Sequence, residues 1–426
     1  MLSKKQLINT VFILSFPWYG YGAYSLGNSG FAIGIFLCTL PYLLILGIYL
    51  LDLLYRQTVT PVVNGRFYLV LGALTSISAS VLLGLHYNSP VINPANGALL
   101  ITLFYAPFLS SVVVQVYNRA DPEFNMSWLI LKGFIAYLIF NLLGMAVGMH
   151  NLIHSFPDRA SPPFAVGIYD AAHMLSIANL MLLFHLRDFK PNPLRWFGLA
   201  TVYMINLGII LSINSRLSFM IFLVFTVLFI TQAMRVLRGL FTVSLFTMPI
   251  MMSFGLLIYE ILSLPVFSAI MERVDKTDVT TFNGRTYIWG SAADWLMDDR
   301  RGLIFGNGYN GQYHIRLLEW VAKLWGESGS YRLHMHSAFL EILVDQGVVG
   351  ILLMYGVYWS GYKFYRKEYL ANARMAPIYA AFVYLMFAWQ IDIFGYAFNS
   401  GFALVFILMG PVVMKPRNVE HTDMLA

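Results

Sequence analysis

The fold class this sequence predicts is an all-α polytopic membrane protein with about twelve spanning helices, and three observations predict it. Of 426 residues, 58% are hydrophobic and only 11% are charged, against about 25% charged in an ordinary soluble domain. Apolar runs of about 20 residues, enough to cross a bilayer as a helix, recur along most of the chain. Lys and Arg gather in alternate connections, as one fixed orientation in a membrane requires. A water-soluble enzyme, a DNA-binding protein and a disordered chain are excluded, because so few charges cannot solvate a chain of this length. The net charge of +6 reads as cations sorted to one membrane face rather than as a nucleic-acid footprint.

The first run, 7–26, follows Lys4 and Lys5 and superficially resembles a signal peptide. Pro17, Trp18, Tyr19 and Gly20 interrupt it and no clear small-x-small cleavage site follows, so it reads as a retained helix. Asn28, Ser29 and Gly30 make the first turn, and 30–52 the second span. That span holds Cys38, the sole cysteine, so no intramolecular disulfide or cysteine-based metal site can form. Spans follow at 67–87 and 97–117, separated by the polar turn Asn93-Pro94-Ala95-Asn96-Gly97, and at 127–148. The stretch 170–186 is the weakest span, being short and carrying His173 and His185. Spans 196–214, 217–234 and 240–262 precede one long connection, 263–345, and spans 346–365, 377–394 and 397–414 complete the chain. The expected organisation is therefore 1–262 for the first nine helices, 263–345 for a large external loop with short helices, and 346–426 for the last three helices and a tail.

Basic residues fit this layout. With the N-terminus inside, the inner connections carry Lys4, Lys5, Arg56, Arg66, Arg119, Arg187, Lys190, Arg195, Arg235, Arg238, Lys363, Arg366, Lys367, Arg374, Lys415 and Arg417. The short outer connections carry only Arg159 and Arg216. The loop 263–345 is long enough to be exempt from the rule. Removing one span would invert everything after it, so the expected topology has both termini inside.

Three polar features then stand on the outer face: Asn214-Ser215-Arg216; Asn283-Gly284-Arg285-Thr286 with Trp289; and His334-Met335-His336-Ser337 ahead of Glu341, Gly347 and Gly350. A guanidinium at Arg216, in a tight connection between apolar spans, has two readings. It is an interfacial anchor, or it is an anion clamp whose planar fork suits phosphate. Arg285 has the same two readings, and a loop histidine is by default a surface polar group. Glu341 and Asp345, four residues apart, either orient the histidine or face water. Asp392, with Gln390 near the outer end of its span, calls for a partner, for which a loop arginine is suitable, or else reaches water at the interface. His334 and His336 lack a convincing third ligand. Asp298-Asp299 is followed by Arg300-Arg301, which compete with a metal for it. No metal and no cofactor is expected.

The order Ser215-Arg216, Gly284-Arg285 to Trp289, Gly306-Asn307-Gly308, then His336-Ser337 to Gly347 and Gly350 resembles the O-antigen polymerase/ligase superfamily of bacterial envelope glycan enzymes. The resemblance is sharp over about 280–355 and topological elsewhere. It implies a C-type glycosyltransferase-like fold in the inner membrane, with the large loop and active site periplasmic. It implies an undecaprenyl-diphosphate-linked glycan as donor, an acceptor hydroxyl and metal-independent transfer. Arg216 and Arg285 would then neutralise the diphosphate as the sugar C1–O bond breaks. His336 would deprotonate the acceptor hydroxyl or hydrogen-bond the leaving phosphate. Trp289, His334, Glu341 and Asp392 are the further candidate contacts to diphosphate and glycan. A single displacement inverts the anomeric centre.

Polymerisation of repeat units is the first reading, from the Gly-Arg-Thr-x-Ile-Trp opening. Transfer to lipid A–core by an O-antigen ligase is the alternative, since the same residues satisfy both patterns. Partners would be the lipid-linked donor, the glycan or lipid A–core acceptor, membrane lipids and a chain-length regulator; no nucleic acid is implied. A reading of another class, a lipid-linked glycan flippase, would place polar groups at mid-depth on paired broken spans. Here they concentrate in one outer loop.

Overall fold

The computed structural model describes residues 3–55, 60–87, 92–153, 158–188, 192–236, 242, 285–326, 329–330 and 333–415, without the side chains of Arg235, Val236, Arg285, Thr286, Ala293, Met297, Arg300 and Arg301. The regular structure among these residues is α-helical apart from one 3-10 turn (Ala373–Met375), with one isolated bridge between Val63 and Met414 as their sole extended pairing. The helices are α1 (Lys4–Ser29), α2 (Phe31–Leu54), α3 (Arg66–His86), α4 (Pro94–Asn118), α5 (Met126–Ala146), α6 (Ile168–Asp188), α7 (Pro193–Ile213), α8 (Arg216–Ile230) and the single turn α9 (Ala233–Val236). After these come α10 (Arg285–Asp298), α11 (Arg300–Phe305), α12 (Gly311–His314), α13 (Glu319–Trp325), α14 (Ala338–Ala371), α15 (Ala376–Ile391) and α16 (Ser400–Val413). Six of them, α2 to α5, α7 and α14, are long and apolar enough to cross a membrane; α8 and α16 are shorter apolar helices. Their outer faces expose Leu44, Leu54, Val227 and Leu352, a surface that suits lipid. A helix lies over each expected span except 240–262, which falls outside the described residues.

Helix starts are written in polar residues. Asn93 accepts from Asn96 N at 2.8 Å and Asn192 from Arg195 N at 3.2 Å, each followed by a proline in the first helical turn. The polar turn at 93–97 is thus mostly the first turn of α4. Ser3 and Gln6 close a capping box on α1. Glycine sets the α1–α2 crossing: a Cβ on Gly22 would lie 2.5 Å from Cys38 Sγ. Small residues let two helix backbones approach closely, and packing of this kind replaces the hydrophobic effect between helices in lipid.

Lys5 donates to Asp121 across the α1 and α4–α5 ends, and this bond holds the Asp121 carboxyl below its usual value of 3.8. A depressed carboxyl contributes stability that is present above the unfolded value and is lost as pH falls through the folded one. The melting difference between wild type and Lys5→Gln in detergent should therefore be present at pH 7 and shrink at pH 3. An unchanged difference at pH 3 would count against the pair.

α6 explains the weak span. It lies against α5, α7, α8 and α15, and several of its polar residues are buried and paired within the bundle. Asp170 accepts from Ser400 N and Oγ, Asn179 from Asn206, and His185 meets Ser127 at 3.3 Å. Buried polar groups paired this way lower hydropathy without weakening the helix.

α14 is a broken helix. Gly347 sits at φ 68°, ψ −167°, a conformation essentially confined to glycine. The break interrupts the helical ladder, and the loop after α11 meets the carbonyls just before it. Asn307 N donates to Val344 O at 2.8 Å and Gly308 N to Asp345 O at 3.0 Å. Gly306, at φ 77°, lies so close that a Cβ there would come within 2.2 Å of Asp345 O. Gly306→Ala should therefore cost more than the roughly 1–3 kcal/mol of a forced left-handed residue. A lowered melting temperature in detergent checks this; an unchanged one would mean that the loop can move away. The expected boundary at 345/346 falls inside α14, at this break. Residues 338–346 are helical and form the N-terminal part of α14, ahead of the break.

Candidate functional site

The N-terminal end of α14 starts at Ser337, which accepts from Leu340 N at 3.4 Å and donates its hydroxyl proton to Gln390 O at 2.7 Å. Ala338 N donates to Asp392 O at 2.9 Å. The first turn of α14 is thus fastened to the end of α15. Ahead of it, Met335 is fully buried and held on both sides of its backbone. Trp289 Nε1, from α10, donates to Met335 O at 3.0 Å, and Met335 N donates to Glu341 Oε2 at 2.7 Å. Glu341 is buried, so of the two readings of this carboxylate its described bond supports orientation of the histidine segment. Asp345 is buried as well, accepting from Gly311 N at 2.8 Å and Tyr396 Oη at 2.9 Å.

With Met335 pinned, the histidines beside it are presented. His336 has φ 50°, the left-handed region that histidine enters more readily than most residues, at a cost of about 1–3 kcal/mol. Its N–H donates to His334 Nδ1 at 3.2 Å, and the two rings lie 4.1 Å apart at 53°. This bond makes His334 Nδ1 an acceptor and puts the proton of a neutral His334 on Nε2. Both histidines are half-buried. Such a strained turn, held by bonds from three separate helices, is the kind of feature that accompanies a site.

Trp289, His334, His336 and Glu341 are therefore brought together. Position 285 opens α10 one turn before Trp289 and on the same helix face, which carries Arg285 on the helix that holds Met335. Arg216 is the first residue of α8, after Asn214 in the left-handed conformation at φ 55°, and it is exposed. No hydrogen bond or ion pair joins Arg216 to the other candidates among the described residues. Asp392 caps α15, and its side chain meets His173 Nε2 at 3.3 Å; the side chain of Arg285 lies outside the described ones. Asp299 caps α11 through Gly302 N and accepts from Trp295; the side chains of Arg300 and Arg301 lie outside the described ones. Among the described residues no group of three or more His, Cys, Asp or Glu could hold a metal ion.

Sequence reasoning missed two features of this region. One is the Gly306–Gly308 loop docked on the α14 break. The other is a buried polar chain. His173 Nδ1 meets Tyr384 Oη at 2.8 Å, and Tyr384 Oη donates to Ser218 O at 3.3 Å, one turn from Arg216. An ionisable residue in an apolar run was the available signal for His173. Beside the break, a groove of about 430 Å³ opens between α3 and α14, lined chiefly by Gly72, Ala79, Leu83, Phe305, Val349 and Leu353.

Residues 172–355 match the family model described as O-Antigen ligase, which supports placing the chain in the O-antigen polymerase/ligase superfamily. The matched stretch contains Arg216, Arg285, Trp289, His334, His336 and Glu341, and ends before Asp392. No curated protein matches the chain.

Proposed function

Taking that match as the premise, we propose that the protein is a membrane glycosyltransferase of envelope polysaccharide or lipopolysaccharide biosynthesis. It transfers a glycan from undecaprenyl diphosphate to an acceptor hydroxyl at the periplasmic face of the bacterial inner membrane. The observation that carries this reading is the strained His336 turn. It lies inside the matched stretch, held by Trp289 and Glu341 at the N-terminal end of α14. In this reading about twelve helices span the bilayer, both termini are cytoplasmic, and 263–345 is the periplasmic loop up to the site.

The donor combines an apolar tail with a diphosphate head. The apolar groove between α3 and α14 supports a place for the tail beside the broken helix. Arg216 and Arg285 meet the diphosphate and stabilise the charge that grows on it as the C1–O bond breaks. His336 takes the proton of the acceptor hydroxyl, which attacks C1 from the opposite side, so the anomeric centre inverts. Trp289 and Glu341 hold the segment, His334 sets the orientation of His336, and Asp392 secures the first turn of α14 through its backbone. Neither a metal nor a cofactor takes part in these steps.

The acceptor has two readings. The Gly284-Arg285-Thr286 opening with Ile288 and Trp289 favours polymerisation of repeat units, whereas the description of the matched family favours ligation to lipid A–core. Purified protein given a defined undecaprenyl-diphosphate oligosaccharide decides between them. Long product ladders without lipid A identify a polymerase, and product only when lipid A–core is added identifies a ligase. No transfer under either condition would overturn the glycosyltransferase reading.

A further inference from the structure

A histidine in the middle of an apolar helix needs a reason. His173 is buried in α6, with its ring stacked on Phe394 at 4.6 Å. Both of its nitrogens are engaged, Nδ1 by Tyr384 Oη at 2.8 Å and Nε2 by Asp392 Oδ2 at 3.3 Å. The Tyr384 hydroxyl proton goes to Ser218 O. His173 thus stands between a tyrosine hydroxyl and a carboxyl, each in hydrogen-bond reach of one ring nitrogen.

The chain has two ends, and both reach residues of the candidate site. At one end Ser218 lies two residues after Arg216, and its hydroxyl donates to Ser215 O at 3.2 Å. At the other, Asp392 O accepts from Ala338 N at 2.9 Å, two residues after His336, while the neighbouring Gln390 O accepts from Ser337. α6, α8, α14 and α15 are therefore linked through one imidazole by way of Tyr384 and Asp392, which reach Ser218 and Ala338. A ring with two directional nitrogens fixes both distance and angle between its partners, which an apolar side chain of equal size does not. We infer that His173 is a positioning residue for the transfer reaction: through Tyr384 and Asp392 it sets the His336–Ala338 turn relative to the Arg216 end of α8. The part concerning transfer rests on the function proposed above; the part concerning the turn does not.

His173→Ala and Tyr384→Phe test it, the second keeping the ring and the packing while removing the hydroxyl that links His173 to α8. Two readouts are needed. Amide hydrogen exchange over residues 333–340 reports the turn without any activity. Steady-state transfer kinetics with the lipid-linked oligosaccharide report the reaction. Loss of a buried hydrogen-bond link should speed exchange about tenfold and lower kcat about tenfold or more. The donor KM should stay within about twofold, since the groups that bind the donor remain.

Faster exchange with a kcat-selective loss in Tyr384→Phe upholds the assignment even where His173→Ala fails to fold. Unchanged exchange in Tyr384→Phe overturns it, and so does a kcat loss that follows a fall in melting temperature instead of the exchange rate. If wild-type protein transfers nothing while exchange responds as stated, the glycosyltransferase reading fails and the positioning of the turn stands.

Discussion

His336→Ala is expected to abolish glycan transfer while leaving the protein folded in the membrane. General-base assistance contributes about 10²–10⁴ in rate, enough to take turnover below detection in a ladder assay. The backbone complicates the reading of this variant, because His336 is left-handed at φ 50° and alanine resists that region where histidine tolerates it. His336→Asn separates the two effects, since asparagine also accepts left-handed geometry and carries no titratable group. Equal loss in both variants assigns the effect to the imidazole; activity recovered in His336→Asn assigns it to the turn. The pH profile then separates a base from a phosphate ligand. If neutral imidazole is the working form, kcat/KM rises with pH through the histidine titration and the limb disappears in His336→Asn. If imidazolium holds the leaving phosphate, kcat/KM falls with pH over the same range. Near-normal turnover in His336→Ala removes the residue from the mechanism altogether.

What the sequence made legible divides along physical lines. Lipid imposes a length and a polarity on each spanning helix, so α2 to α5 and α7 could be read from single windows. α6 was the weakest because its polarity is satisfied by partners far away along the chain, as Asp170 is by Ser400, 230 positions on. The start of α14 was placed eight residues late, at 346 rather than Ala338. Glu341 and Asp345 look like loop residues in sequence, and their bonds to Met335, Gly311 and Tyr396 become apparent only once the chain is folded. The break at Gly347 was invisible for the same reason, since nothing local shows that a second loop will reach its carbonyls.

The candidate site shows the same division. The motif order singled out His334 and His336 with Trp289 and Glu341, residues whose neighbours in space are partly neighbours in sequence. Asp392 was noticed because a carboxyl near a span end is unusual, but one of its partners, His173, lies 219 positions away on another helix. Pairings across such separations leave no local pattern.

Arg285→Ala should be the other variant with a severe loss, about 10²–10³ in kcat, as for removal of one preorganised donor from developing negative charge. The argument starts from the donor. A diphosphate leaving group gains charge as C1–O cleaves, and it does so at a membrane surface, where water screens less than in bulk. A guanidinium offers two parallel donors that match phosphate oxygens, which an ammonium does not. Arg285→Lys should therefore keep the charge, lose the fork and retain a minor part of the activity. The loss should appear in kcat more than in donor KM, because the charge being met is larger in the transition state than in the ground state. Position 285 is also the first residue of α10, whose Trp289 holds Met335. A structural role would thus loosen the histidine turn, and hydrogen exchange over 333–340 distinguishes the two cases. Unchanged exchange with lost kcat in both Arg285→Ala and Arg285→Lys places the effect on the diphosphate. Arg216→Ala should behave alike, and its exposed position at the start of α8 makes misfolding a poor explanation of any loss. Full activity in Arg216→Ala would leave that residue as an interfacial anchor and put the whole diphosphate charge on the loop arginine.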